Sequence, residues 1–183
     1  MTRILKLLVI LAGVAFAAFV LYDLFAFQTR RDEINGLIAA AHPLDRSPPQ
    51  ALQVLLRVEH PDLAMSSSRV LLYDLFPVNY RSTLQRQAQW AAWSLLVRIH
   101  LGESEQLALL CSRSYLGRQG HGYQAAALSV YSRGLDQLDE RELATLVVIA
   151  RSPGKYRRPD RADDLALAAD ALLRRSRGRI SRS

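Results

Sequence analysis

"YLGRQGHGYQAAALSVYSRGLDQLDERELATLVVIARSPGKYRRP", residues 115–159, decides how this chain folds. Three glycines, Gly117, Gly120 and Gly122, stand between two apolar runs. A phosphate cradle would place such glycines after a strand and before a helix, with a lysine and a hydroxyl residue following. Here they follow a helical run, and no such pair comes after them. Their pattern is that of a turn between helices, glycine supplying backbone angles that other residues resist. Gly117 is suited to ending the first of those helices in the left-handed conformation. The alanines Ala125 to Ala127 predict the next helix over 123–132, with Gly134 as its stop. Asp139, with Glu142 three residues on, makes a capping box that opens "ELATLVVIA". Pro153 and Gly154 end that helix, and Asp160 or Asp163 opens a last one through "LALAADALL".

Upstream the same period continues. Residues 103–115 read as a helix with Leu107, Leu110 and Cys111 inward. Trp90, Trp93, Leu96, Val97 and Leu101 repeat at helical spacing, which makes the tryptophans core residues rather than a ligand platform. "VNYRSTLQRQ" is irregular or leads into that helix. A further helix follows Ser66, Ser67 and Ser68 and closes at Pro77. "HPLDRSPPQ" is a linker, in which Ser47 and Pro48 suit the start of a helix through "QALQVLLRVE". No alternating pattern of strand length appears, so the expected fold class is all-α.

The whole chain has 183 residues, 50% of them hydrophobic, and a formal net charge of +7. Its one cysteine, Cys111, excludes a disulfide framework and reads as a small buried hydrophobe. From Leu7 to Tyr22 there is no charge; with the flanking apolar residues the run reaches about 24, enough to cross a bilayer. Lys6 and Asp23 lie near its ends, where they reach the head groups. A cleaved signal peptide competes, given Ala15, Ala17 and Ala18. The run is long for that role and bulky residues follow it, which favours an uncleaved anchor. Arg3 and Lys6 before the span, against Arg30 and Arg31 after it, leave its orientation open. The expected organisation is an anchor over 1–27, a juxtamembrane helix and linker over 28–49, a helical domain over 50–173 and a disordered basic tail over 174–183. That tail, "RRSRGRISRS", carries five arginines and no acid. No nucleic-acid module is visible, and His42, His60, His100 and His121 lack metal-ligand spacing.

The landmarks of the C-terminal half fall in a specific order: Tyr115, Gly117, Gly122, Ala125 to Ala127, Tyr131, Leu138, Glu142, Ala144, Pro153, Tyr156, Pro159. That order resembles the family 51 glycosyltransferase domain, the peptidoglycan transglycosylase of class A penicillin-binding proteins and monofunctional relatives. Upstream, "ALQVLLRVEHPDL" is similar to the family's first motif, and Glu59 falls on its general base, with His60 where an aspartate is expected. "RSTLQRQ" resembles the second motif. The resemblance implies a lysozyme-like helical fold tethered on the periplasmic or extracytoplasmic side of the cytoplasmic membrane. It also implies transfer of a glycan, activated as an undecaprenyl diphosphate, to the 4-hydroxyl of lipid II. Glu59 would then be catalytic, and Ser82, Thr83, Arg86, Gln87 and Arg113 would bind substrate. No cofactor is implied, beyond a divalent metal at the diphosphate if the protein is active. Partners would be lipid II or a glycan strand, the membrane and other cell-wall synthesis proteins.

The departures are as informative. The second and third motifs collapse onto each other around Arg86 and Gln87, with Trp90 where the third motif has a glutamate. Glu103 replaces a lysine of the fourth motif, and an arginine of the last motif becomes apolar near Ala168. Cations that would meet a departing diphosphate are therefore missing. The expectation is a transglycosylase-like protein with weak or lost polymerase activity and a binding or regulatory role. An active minimal enzyme using Glu59 is the alternative, and a membrane-tethered scaffold using the basic tail is a second. On residues alone, Glu59 is as well explained as a helix end, and Ser82 and Thr83 as turn formers.

Overall fold

The computed structural model describes residues 3–76, 82–117, 120–156 and 158–180. Among them there is no strand, only an isolated bridge between Tyr115 and His121. The chain divides into two compact units, residues 1–36 and 37–183.

The first unit is dominated by α1 (Arg3–Ala26), whose 24 residues include none that is buried. At about 1.5 Å per residue it matches the hydrocarbon thickness of a bilayer. It is the one described helix long and apolar enough to cross a membrane, with a mean hydropathy of 2.7 over its best window. A single helical turn and α2 (Arg31–Ala39) follow.

The second unit is a helical domain. It contains α3 (Pro43–Arg46), α4 (Gln50–Glu59), α5 (Leu63–Leu75), α6 (Thr83–His100) and α7 (Glu103–Arg113). It continues through α8 (Tyr123–Tyr131), α9 (Glu140–Arg151), α10 (Pro153–Tyr156) and α11 (Ala162–Ile180). Its core joins Leu52, Leu55 and Leu56 of α4 to Leu107, Leu110 and Cys111 of α7, Leu146 and Val147 of α9, and Leu172 of α11. The small residues Ala126 and Ala127 let α8 come close to the same core. α5 packs on α6 and α7, and α9 on α11 and α4. Trp93 is fully buried, its ring edge-on to Phe76 at 5.7 Å.

Several boundaries differ from those the sequence suggests. The expected linker holds a helical turn, α3, capped by the His42 ring accepting from the Leu44 N–H; Ser47 ends α3, and Pro49 precedes α4. α5 begins at Leu63, capped by Asp62, so Ser66 to Ser68 lie inside it. Ser67 and Ser68 turn their hydroxyls back to the carbonyls of Leu63 and Met65, which satisfies them within the helix. The expected stop at Pro77 lies outside the described residues, as do residues 78–81 of the next stretch.

The glycine turn is also built differently. α7 ends at Arg113, so Gly117 does not cap it. Gly117 and Gly120 instead turn a small loop closed by Leu116 N–H to Gly120 O at 2.9 Å and Gly122 N–H to Ser114 O at 3.1 Å. Gly122, at φ 99°, is the N-cap of α8 and has no side chain to do the capping. Asp45 supplies it from 79 residues away, its Oδ1 accepting the Gln124 N–H at 2.9 Å. Any Cβ on Gly122 would stand 3.0 Å from Asp45 Oδ2. α8 stops at Ser132, which takes the left-handed conformation itself, rather than at Gly134. The capping box of Asp139 and Glu142 is present as expected.

The basic tail is the largest correction. α11 runs on to Ile180, so residues 174–180 are helical. Leu172, Leu173 and Ser176 are buried against the domain, which anchors this part of the helix despite its arginines. Residues 181–183 lie outside the described set.

Candidate active site

Glu59 owes its position to helical period. Leu52, Leu55 and Leu56 line the inner face of α4, and Glu59, four residues after Leu55, shares that face. Its side chain keeps 7% of its exposure. A carboxylate so enclosed needs partners, and two arginines provide them. Arg151, the last residue of α9, donates to Glu59 Oε1 at 3.1 Å. Arg175 of α11 donates to Oε2 at 2.8 Å. Both oxygens thus carry charge-assisted hydrogen bonds.

The same Arg151 donates to the Tyr156 hydroxyl at 3.0 Å. Burial alone would raise the pKa of that phenol, but bonding to Arg151 and the charges of Arg151 and Lys155 bring it below its ordinary value. His60, next to Glu59, holds its Nδ1 3.0 Å from the Ser66 hydroxyl. Burial lowers the pKa of His60, with the Glu59 charge working against this and the Arg69 charge with it. The Tyr123 hydroxyl is fully buried without a hydrogen-bond partner, and burial raises its pKa well above the ordinary phenol value.

Beside this carboxylate lies a cavity of about 710 Å³. Its walls are one face of α5, the end of α7, Tyr115 and His121 of the glycine loop, the end of α9, and His60. Arg69, Arg113 and Arg151 bring three cations from three helices to its lining. Its one acidic lining residue, Asp74, is already bound to Arg113 at 2.5 Å. Arg69 lies over the Trp90 indole, 4.7 Å from the ring centroid, and Arg86 lies 5.2 Å from the same ring. The lining is suited to an anion. It does not suit a divalent metal, since the only carboxylate is committed to an arginine and no group of three metal-ligating residues occurs among those described.

Of the six residues singled out in the sequence, the structure brings two to this region. Arg113 lines the cavity, and Glu59 stands next to its lining residues His60 and Arg151, without lining it itself. The other four belong to the start of α6 and do not line it. Ser82 is the N-cap of α6, accepting the Gln85 N–H at 3.1 Å. Thr83 and Gln87 are exposed on its first turns. Arg86 stacks on Trp90, and its Nε is buried without a hydrogen-bond partner.

Arg69, Arg151 and Arg175 were not legible as site residues. Arg69 and Arg151 sit beside landmarks that could have drawn attention to them, the serine run and the Pro153 to Tyr156 loop. Arg175 had no local signal, because its sequence neighbours read as a solvated tail.

The family model for the transglycosylase domain matches residues 68–177. No curated protein matches the chain. The matched stretch starts after Glu59 and takes in Arg69, Arg113, Arg151 and Arg175, so the cation-bearing walls of the cavity lie within it. With more than half of its length covered by that match, and with the helical, lysozyme-like architecture described above, the chain belongs to the transglycosylase family.

Proposed function

We propose that this is a membrane-anchored, peptidoglycan glycosyltransferase-like domain that binds lipid II or a glycan strand and has impaired or lost polymerase activity. Membership of the transglycosylase family and the apolar α1 support the coarse part of that reading: a glycan substrate and a single-pass anchor. The domain would then work on the extracytoplasmic side of the cytoplasmic membrane, beside other cell-wall synthesis proteins.

One observation carries the finer part. Glu59, the residue the resemblance makes the general base, is enclosed by two guanidiniums, while the cavity beside it keeps Arg69 for another anion. A base must accept a proton from the acceptor hydroxyl as that oxygen attacks. With Arg151 on Oε1 and Arg175 on Oε2, an acceptor hydroxyl approaching either oxygen has to share it with a guanidinium already bound there. The anion-binding function has no such obstacle. Arg69 has no ion pair among the described residues and lines the cavity, which makes it the candidate to meet a diphosphate. Catalysis and binding are therefore separable in this chain, and the cation set favours binding.

The test is incubation of the purified full chain with labelled lipid II. The expected outcome is saturable binding, weakened by Arg69→Ala, with little or no glycan polymer. Rapid polymer formation abolished by Glu59→Gln would replace this reading with that of an active minimal enzyme. Absence of binding would leave a membrane-tethered scaffold.

A further inference from the structure

We propose that Arg175 is a latch: it withholds the Glu59 carboxylate from the cavity, so that the position of the C-terminal end of α11 regulates access to it. This inference rests on the transglycosylase reading of Glu59 and adds a means of control to it.

The two arginines on Glu59 are not equivalent. Arg151 lines the cavity and would remain beside any bound anion. Arg175 does not line it, and holds Oε2 from α11. Of the two, Arg175 contributes nothing to the walls of the binding space, so its effect falls on the carboxylate alone. It is also the more easily removed. Among the described residues the last buried position of α11 is Ser176, and beyond it Arg177 and Gly178 are exposed. There Arg177 pairs with Glu140 at 3.5 Å between two exposed side chains, a kind of contact that contributes little. Gly178 in a helix interior weakens it further. Arg175 is itself 52% exposed and sits one residue before Ser176, the last buried position among the described residues of α11, so it belongs to the last anchored turn, where a helix opens at least cost.

The chemistry gives the latch its consequence. In glycosyl transfer the acceptor oxygen forms a bond to the anomeric carbon. The bond from that carbon to the diphosphate oxygen breaks with its electron pair, and the hydroxyl proton passes to the base. Removing Arg175 leaves Glu59 Oε2 without its cation, while Oε1 stays on Arg151 at the cavity wall. Arg175 is thus a positioning residue, acting on the reaction only through Glu59.

Access to Glu59 is measured directly by carbodiimide-driven amide labelling of the full chain in mild detergent, read by peptide mass spectrometry. Arg175→Ala should raise the labelling rate of Glu59 roughly three- to fivefold, the factor that a half-exposed ion pair is worth. Arg175→Lys, which keeps the charge, should restore most of the protection. Arg174→Ala, a neighbour that does not touch Glu59, should label like the parent. Equal labelling of Arg175→Ala and the parent overturns the latch, as does an equal rise in Arg174→Ala, which would mean that general loosening of α11 is responsible. Labelled lipid II is then added to the same proteins. A rise in labelling with no lipid II bound by any variant keeps the latch and fails the transglycosylase reading; bound lipid II with unchanged labelling does the reverse.

Discussion

Asp45 and Glu59 both carry enclosed carboxylates, and they are enclosed on opposite terms. Asp45 is 4% exposed and faces backbone N–H donors at the start of α8. Glu59 faces two arginines. Desolvation is the dominant influence at Asp45, raising its pKa from 3.8 to about 6 against the opposing pull of the Gln124 and Tyr123 amides and of His42. At Asp45 these contacts do not offset the loss of water; at Glu59 each oxygen meets a guanidinium. The difference separates a structural acid from a candidate functional one. Asp45 exists to cap a helix whose own cap, Gly122, has no side chain. Glu59 is in no cap and closes no turn; its partners come from α9 and α11, 92 and 116 residues away.

The contrast is broken most strongly through pH. The folded state holds the Asp45 proton more tightly than the unfolded chain does. Stability from this group is therefore complete below pH 4 and is lost as pH rises through about 6. The expected loss across that window is about 3 kcal/mol at full effect. Asp45→Asn should flatten it, as seen by comparing urea midpoints of the two proteins at the ends of the window. An unchanged slope would mean that Asp45 is hydrated.

Gly122→Ala attacks the same corner sterically. Alanine would have to keep φ near 99° and place its Cβ 3.0 Å from Asp45 Oδ2. A destabilisation of roughly 2 kcal/mol is expected from the backbone conformation and the contact together. Thermal unfolding of the variant checks it, and a neutral result would show that the loop rearranges.

At the other corner, Glu59→Gln keeps the shape but leaves two guanidiniums facing one neutral acceptor. The arginines are 43% and 52% exposed, so water recovers part of their solvation. The expected cost is about 1–2 kcal/mol, smaller than for a fully buried pair. Arg175→Ala should be the mildest change, below about 1 kcal/mol in stability at low salt. That difference should shrink near 0.5 M salt, where screening weakens a half-exposed pair, roughly in step with the shorter Debye length. A large, salt-independent loss would instead place Arg175 in the packing of α11.

Much of the fold was readable along the chain because helices announce themselves locally. The capping box at Asp139 and Glu142, the inward leucines of α4 and the burial of Cys111 and Trp93 all follow from spacing and residue type. The glycine turn was recognised as a turn, but its roles were misassigned. Gly117 looked like a helix end and Gly134 like a stop, while Ser114 and Ser132 hold those places. The deciding contact at Gly122 comes from Asp45, in a segment that reads as a linker. The candidate site was partly readable. Resemblance pointed to Glu59 and Arg113; Arg113 lines the cavity and Glu59 binds its lining residue Arg151, whereas Ser82 is occupied as a helix cap.

What the sequence determined by itself is the set of helices, the apolar anchor candidate and the family, since each depends on patterns within a few turns of chain or on the order of landmarks. Only the tertiary structure decided the state of Glu59. A charge takes its character from whatever lies within a few ångströms, and for this carboxylate those neighbours are Arg151 and Arg175. Sequence spacing carries no record of that meeting, because it is the packing of α4 against α9 and α11 that brings the three side chains together.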